Sequence, residues 1–373
     1  MMRALPIALA ATLMLLVTSS PARSDDPVTS AVRFNREIVR IFDRKCLACH
    51  APGGIAMSLA TYRDVRPWAR AIREEIVEQR MPPWSAARGY ARFKDDIALT
   101  PRELGTILTW VDGGVPRGDE SDLPASVPRP APGAEPDHLV AVPAQQVPGN
   151  QEDVVRRVVV TTALTADQWI RQVQIRPGDR RILRAAFVSV IAEGHEPVWA
   201  GAWTPWQTEV SPPSTGAFLV RRGSRLSIEL HYRGQDAPTV DNTVIALFSA
   251  RENQPRELTS LTVGSDDASR SKAATLQKTQ AALTHEALVW GIRTELMVDG
   301  TSLEVTARKP DGTIEVLLWI PQTRTEWPSP YIFQDPVRLP AGTVITLEAS
   351  GRNENGGRGA RGVRAILTLH RLD

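Results

Sequence analysis

The spacing of apolar residues changes character three times along the chain. Residues 4–17 form an almost unbroken apolar run rich in Ala and Leu. From 35 to 112 apolar residues recur at helical spacing. Ile38, Val39, Ile41 and Phe42 predict a helix over 35–45, and Trp68, Ile72, Ile76 and Val77 predict one or two helices over 62–79. Leu104, Ile107, Leu108 and Val111 predict a further helix. It opens on Thr100-Pro101-Arg102-Glu103, an N-cap with Pro at N1 and an acid at N3, and it ends at Gly113-Gly114. Residues 116–150 then carry eight prolines and no apolar period, which predicts a semi-extended tether. Beyond Val154 the period drops to two. Strands are expected over 154–162, 169–175, 183–191, 224–232, 244–249, 258–263, 288–296, 302–307, 313–320, 344–350 and 363–371, with a tight hairpin turn at 309–313. The fold class expected is therefore multidomain. A small all-α domain is followed by an all-β antiparallel sandwich, tandem jelly-roll-like in its many short strands.

Charge and composition narrow the function. The 44 Lys+Arg against 42 Asp+Glu give no basic excess, so nucleic acid is not an expected partner. Arg3 is the only charge before Arg23, and small residues Ser19, Ser20 and Ala22 follow the apolar run. This is the pattern of a cleaved export signal over 1–24, and the run is short for a membrane span. Its removal takes Arg3 and Arg23 and leaves 42 basic against 42 acidic residues. The expectation is a periplasmic protein, soluble or peripheral, with no stable membrane span after cleavage. The domains expected are then 25–118, a linker over 119–150, and 151–373.

Only two cysteines are present, and they stand together in Cys46-Leu47-Ala48-Cys49-His50. This is the c-type haem attachment pattern. On one helical turn both sulfurs can meet the two vinyl groups of one porphyrin edge, and His50 follows directly as an axial imidazole. A zinc knuckle would need a second ligand pair, and residues 25–118 hold no other Cys or His. One covalent haem c is the expected cofactor. The sixth ligand is sought among thioethers. Met57 lies only seven residues beyond His50, too close to cross easily to the other haem face. Met81 stands in Arg80-Met81-Pro82-Pro83-Trp84, where two prolines stiffen a loop able to hold a sulfur against iron. His50 and Met81 are thus the expected iron ligands.

Residues 31–118 resemble a class I cytochrome c in their order of helix, attachment motif, Met loop and final helix. Ala51-Pro52-Gly53-Gly54, Arg66-Pro67-Trp68-Ala69-Arg70-Ala71-Ile72, Met81-Pro82-Pro83-Trp84 and Trp110-Val111-Asp112-Gly113-Gly114 look more specifically like the cytochrome modules preceding copper type II, ascorbate-dependent monooxygenase-like domains in bacterial exported proteins. In the C-terminal part, Leu230-His231-Tyr232 after Gly223-Ser224 resembles that family. So do Pro310-Asp311-Gly312-Thr313, Val316-Leu317-Leu318, Trp327 and Leu339-Pro340-Ala341-Gly342-Thr343. The family's best-known member is the peptidylglycine hydroxylating enzyme, and the resemblance implies two sandwiches facing each other across a copper-bearing cleft.

The copper chemistry itself does not carry over. One copper of the family needs three histidines, two of them adjacent; the other needs a His-x-His pair and a methionine. Residues 151–373 offer only His195, His231, His285, His370 and Met297. Where the family has the adjacent pair this chain reads Leu183-Arg184-Ala185-Ala186, and where it has His-x-His it reads Val289-Trp290-Gly291. His231 alone matches a family position, a weak copper candidate. The clustered Trp199, Trp203 and Trp206 suit either a stacking platform or a core, and the Gly- and Arg-rich stretch 351–362 suits a basic surface loop.

These residues lead to an electron-transfer protein serving a periplasmic redox partner, with no catalytic residue assigned and a copper-free β domain. Two alternatives stand beside it. One is a copper monooxygenase fed by its own cytochrome; the other is a redox-sensing module that binds a ligand or partner.

Overall fold

The computed structural model describes residues 30–125, 134–210, 212–213, 215–251, 255–264, 275–295, 299–351 and 364–371. The apolar run at 4–17, Met297 and most of the Gly- and Arg-rich stretch lie outside them, as does the side chain of His370.

The helical spacing of the first segment yields helices where it predicts them. A π-helical turn at Phe34–Ile38 runs into α1 (Val39–Lys45), and the attachment motif forms α2 (Leu47–His50). Then come α3 (Tyr62–Val65), α4 (Ala69–Val77) and α5 (Pro101–Asp112). The α5 start is a full capping box: Thr100 Oγ1 accepts from Glu103 N at 3.1 Å, and Thr100 N donates to Glu103 Oε2 at 2.9 Å. These helices bury one cluster around Phe34, Ile38, Phe42, Val65, Ile107 and Trp110. The Phe34 ring meets Phe42 and Tyr62 edge-on at 6.4 and 5.6 Å. Trp110 donates from Nε1 to Pro116 O, and Phe34 N donates to the same carbonyl, so the chain leaving α5 is tied back to the start of the unit. Gly113 makes this closure possible, because a Cβ there would lie 2.2 Å from Ser30 Cβ.

The remaining chain is mostly β. Its first half contains β1 (His138–Ala141), β2 (Gln145–Val147), β3 (Asp153–Thr161), β4 (Gln168–Arg176), β5 (Leu183–Ile191), β6 (Val198–Trp203), β7 (Gly216–Val220), β8 (Arg225–Arg233), β9 (Thr239–Asp241) and β10 (Val244–Ser249). Its second half contains β11 (Arg256–Gly264), β12 (Thr275–Ala282), β13 (Ala287–Glu295), β14 (Ser302–Arg308), β15 (Ile314–Ile320), β16 (Pro330–Leu339), β17 (Val344–Gly351) and β18 (Arg364–Arg371). One long sheet runs β1-β10-β4-β7-β11-β18-β13-β16 through both halves. The sheet β3-β8-β5-β6 packs with the first half of it around Ile170, Val173, Phe187, Ile228 and Ile245. The sheet β12-β17-β14-β15 packs with the second half around Val289, Val305, Leu318 and Leu367. All these pairings are antiparallel except the short parallel contact of β7 with β11, which joins the halves. The result is layered antiparallel β structure of the sandwich kind.

The proline-rich stretch corrects one expectation. The tether expected over 116–150 is not unpaired throughout, since β1 pairs with β10 and β2 with β9. Prolines at 136, 143 and 148 flank these short strands rather than interrupting them, as the missing proline N–H requires.

The helical unit and the β structure are also in direct contact. Residues between the Met81 loop and α5 lie along β15 and β16. Ala87 N donates to Trp319 O at 2.8 Å, Lys94 N to Ile332 O at 2.7 Å, and Gln334 N to Arg92 O at 2.9 Å. Trp84 and Phe93 pack on Tyr331, both with centroids 5.4 Å from its ring, and Tyr90 packs on Trp319 at 5.1 Å.

Candidate haem-binding site

The geometry of the site begins with one turn of helix. Cys49 N and His50 N both donate to Cys46 O, at 3.1 and 2.9 Å, so α2 places the two sulfurs and the imidazole on consecutive steps of a single turn. His50 Nδ1 lies 2.8 Å from Met57 O. A carbonyl can only accept, so Nδ1 carries the proton and Nε2 keeps its lone pair for a metal. Burial pushes the His50 pKa down, and the Met57 carbonyl opposes it less strongly. The neutral, ligating form is therefore favoured. Burial also pushes both thiols up to about 12, with Cys49 reinforcing the rise at Cys46 and Arg184 opposing it at Cys49. Both are protonated at neutral pH, which does not suit thiolate chemistry.

Met81 is held from two sides. Arg80 N and Met81 N donate to Glu75 O at 2.8 and 3.1 Å, closing the end of α4, and the Arg80 guanidinium grips the Glu75 carboxylate at 2.8 Å through both Nε and Nη2. That grip holds the Glu75 carboxyl below its usual range against burial. From the β structure, Arg324 donates to the backbone oxygens of Arg80, at 2.6 Å, and of Gln79. The Met81–Pro82 bond is cis.

Cys46, Cys49, His50 and Met81 all border one apolar cavity. Its walls are Phe42, Leu59, Ile72, Ile76, Pro83, Leu99 and Ile107 from the helical unit, with Lys45 and Glu75 the charged residues among the described ones lining it. An apolar cavity with a neutral imidazole, a thioether and two thiols on its wall offers the donor set of a covalently attached haem.

The β structure supplies one further wall of the cavity. Trp206 and Trp327, with ring centroids 5.9 Å apart, close the cavity beside Cys49 and pack with it and Ile97. Of the three clustered tryptophans, Trp199 and Trp203 are buried within the first sandwich instead, Trp199 stacking on Trp290 at 6.2 Å. Arg184 lies over the Trp327 ring, its Cζ 4.7 Å from the centroid.

His231 lies elsewhere, in an open cleft between the sandwiches, with Arg157, Arg184 and Glu229 among its neighbours there. In β8 the core face is Leu226, Ile228, Leu230 and Tyr232, so Glu229 and His231 share the opposite face. His231 Nε2 is 2.6 Å from Glu229 Oε1, and the same carboxylate accepts from Arg293 at 3.0 Å and Arg157 at 2.9 Å. Burial pushes the Glu229 carboxyl up, but the His231 hydrogen bond and the Arg293 charge outweigh it and hold the carboxyl well below its usual range. His195 and His285 are exposed and stand apart from this group. His138, in the stretch first read as linker, is hydrogen-bonded to Gln168 at 2.7 Å. Among the described residues no three His, Cys, Asp or Glu side chains cluster to hold a metal. The positions read against the family's ligand pairs both fall at register shifts, Arg184 in β5 and Trp290 in β13.

Among the described residues no helix is long and apolar enough to cross a membrane. No family model matches the chain, and no curated protein does. Among solved structures, the infectious bursal disease virus VP2 subviral particle is 10% identical, with 67% of this chain and 80% of that chain covered and a TM-score of 0.18. The structure of the Gx strain of the same virus is 12% identical, with 66% and 75% covered and a TM-score of 0.18. Likenesses at that level carry no argument about function.

Proposed function

We propose that this chain is an exported monohaem c-type cytochrome that carries single electrons, fused to a copper-free β domain of the monooxygenase-like kind. The helical unit is then a class I cytochrome c module and the β structure a pair of jelly-roll-like sandwiches. The reading rests above all on the convergence of Cys46, Cys49, His50 and Met81 on one apolar cavity. Bound there, haem supplies a one-electron couple. Cys46 and Cys49 hold it through thioether bonds, and His50 offers Nε2 while Met57 O fixes its ring. Met81 offers a thioether, which favours the reduced iron. The apolar walls and the two tryptophans keep water from the group, and the acceptor is a periplasmic redox protein.

The test is expression with an intact haem-maturation system, a reduced visible spectrum, and iron and copper quantification on one sample. The expected result is a c-type α band that survives acid-acetone extraction, one iron per chain and no copper. A colourless protein overturns the cytochrome reading; stoichiometric copper overturns the copper-free one.

A further inference from the structure

We infer that Arg184, a β-domain residue, sets the reduction potential of the group held at Cys49 by bringing a buried positive charge to that wall of the cavity. The inference rests on the haem reading above and adds to it a residue from outside the cytochrome module.

Two observations carry it. The first is placement. In the pairing of β5 with β8, Leu183 lies opposite Tyr232 and Ala185 opposite His231, so Arg184 is the extra residue of a bulge. Bulges re-aim the side chain they carry. Here the guanidinium lies on Trp327, and Trp327 packs with Cys49 in the cavity wall. The second is unequal burial within the ion-pair group. Arg184 Nη1 is 3.0 Å from Asp153 Oδ1 and 3.5 Å from Glu326 Oε2. The Arg184 side chain is only 10% exposed, whereas those of Asp153 and Glu326 are 46% and 48% exposed. Water screens the two carboxylates far more than the guanidinium. The residual field at the cavity is therefore positive, and it favours the reduced group, which carries one positive charge fewer. Arg184 is a positioning residue in this sense; it acts through space and through Trp327.

The test is a redox titration of the full-length, haem-loaded protein, with haem content read from the α band of each variant. In Arg184→Gln the two carboxylates lose their buried partner. The reduced-to-oxidised ratio at fixed ambient potential is expected to fall about tenfold, which is about 59 mV for a one-electron couple. Arg184→Lys keeps the charge and is expected to stay close to the wild type. Asp153→Asn removes a half-exposed carboxylate, leaves Arg184 in place, and is expected to move the potential upward.

An unmoved or raised potential in Arg184→Gln at full haem content overturns the inference, and so do equal shifts in the Gln and Lys variants, which would mark a purely structural role. Should Arg184→Gln fail to fold, Asp153→Asn decides, and an unmoved or lowered potential there overturns it. Absence of the α band from the wild type removes the haem reading itself, an outcome distinct from all of these.

Discussion

Replacing Glu229 by Gln tests how the cleft between the two sandwiches is held together. The carboxylate is 13% exposed and accepts from three side chains, those of Arg293, Arg157 and His231. These do not suffer equally when its charge is removed. Arg157 is 61% exposed and stays solvated, so its loss is small. Arg293 is 5% exposed; it keeps Glu295, at 3.5 Å, and the face of the Phe187 ring, 4.1 Å from its Cζ, and its Nε has no hydrogen-bond partner among the described residues. Removing one partner of such a buried pair costs about 3–5 kcal/mol. The neutral amide oxygen still accepts one hydrogen bond, so the lower end, about 3 kcal/mol, is expected. The assay is urea unfolding of both proteins, followed by far-ultraviolet circular dichroism across pH. Glu229 has a folded pKa far below its unfolded value of about 4.3, so its stabilisation is complete above that value. It is lost progressively as pH falls below it. The gap between wild type and Glu229→Gln should therefore be full at neutral pH and shrink on acidification, because the variant has no carboxylate to titrate there. A gap under about 1 kcal/mol at neutral pH, or one that does not change with acid, would show that the cluster is not what holds the cleft.

On the haem reading, three further substitutions address the helical unit. Met81→Ala should keep the covalent haem but lower its potential and open the iron to added imidazole. Met57→Leu should leave the spectrum unchanged, since Met57 reaches His50 through its backbone oxygen; visible spectra with and without imidazole check both. Trp110→Ala empties a fully buried site and removes the donor to Pro116 O, for an expected loss of about 3–5 kcal/mol read by thermal melting of the haem band.

How far the sequence reveals this architecture depends on how local each signal is. The helices at α1, α4 and α5 stand where one-sided apolar spacing predicts them, because each buries a single face. Strands such as β8 alternate cleanly and were legible for the same reason. The missed strands break that rule in identifiable ways. Nearly every residue of β6 is buried, so Trp199-Ala200-Gly201-Ala202-Trp203 shows no period. β16 contains Pro330 and Pro336, which read as breakers, yet it lies at the edge of the long sheet, where a missing N–H is tolerated. β12 is polar and also an edge strand. The site divides in the same manner. Cys46, Cys49 and His50 follow one another within a turn and Met81 is marked by its prolines, so all four were nameable. Trp206, Trp327, Arg184 and Arg324 reach the cavity and its loop only through the docking of the β structure, and no local pattern announces a contact made at that distance along the chain.

The tryptophan wall carries a consequence for biogenesis. Trp206 and Trp327 are translated long after Cys49, and contacts so remote along the chain form late. On the haem reading, the porphyrin must be threaded onto the two sulfurs while that side still gapes, and the β strands then shut the door behind it. A maturation apparatus arriving after the barrier had closed would meet a thiol at Cys49 that is 8% exposed and already walled in by indole rings. Timing of export and folding, as much as the attachment motif itself, would then decide how much of the protein acquires its colour.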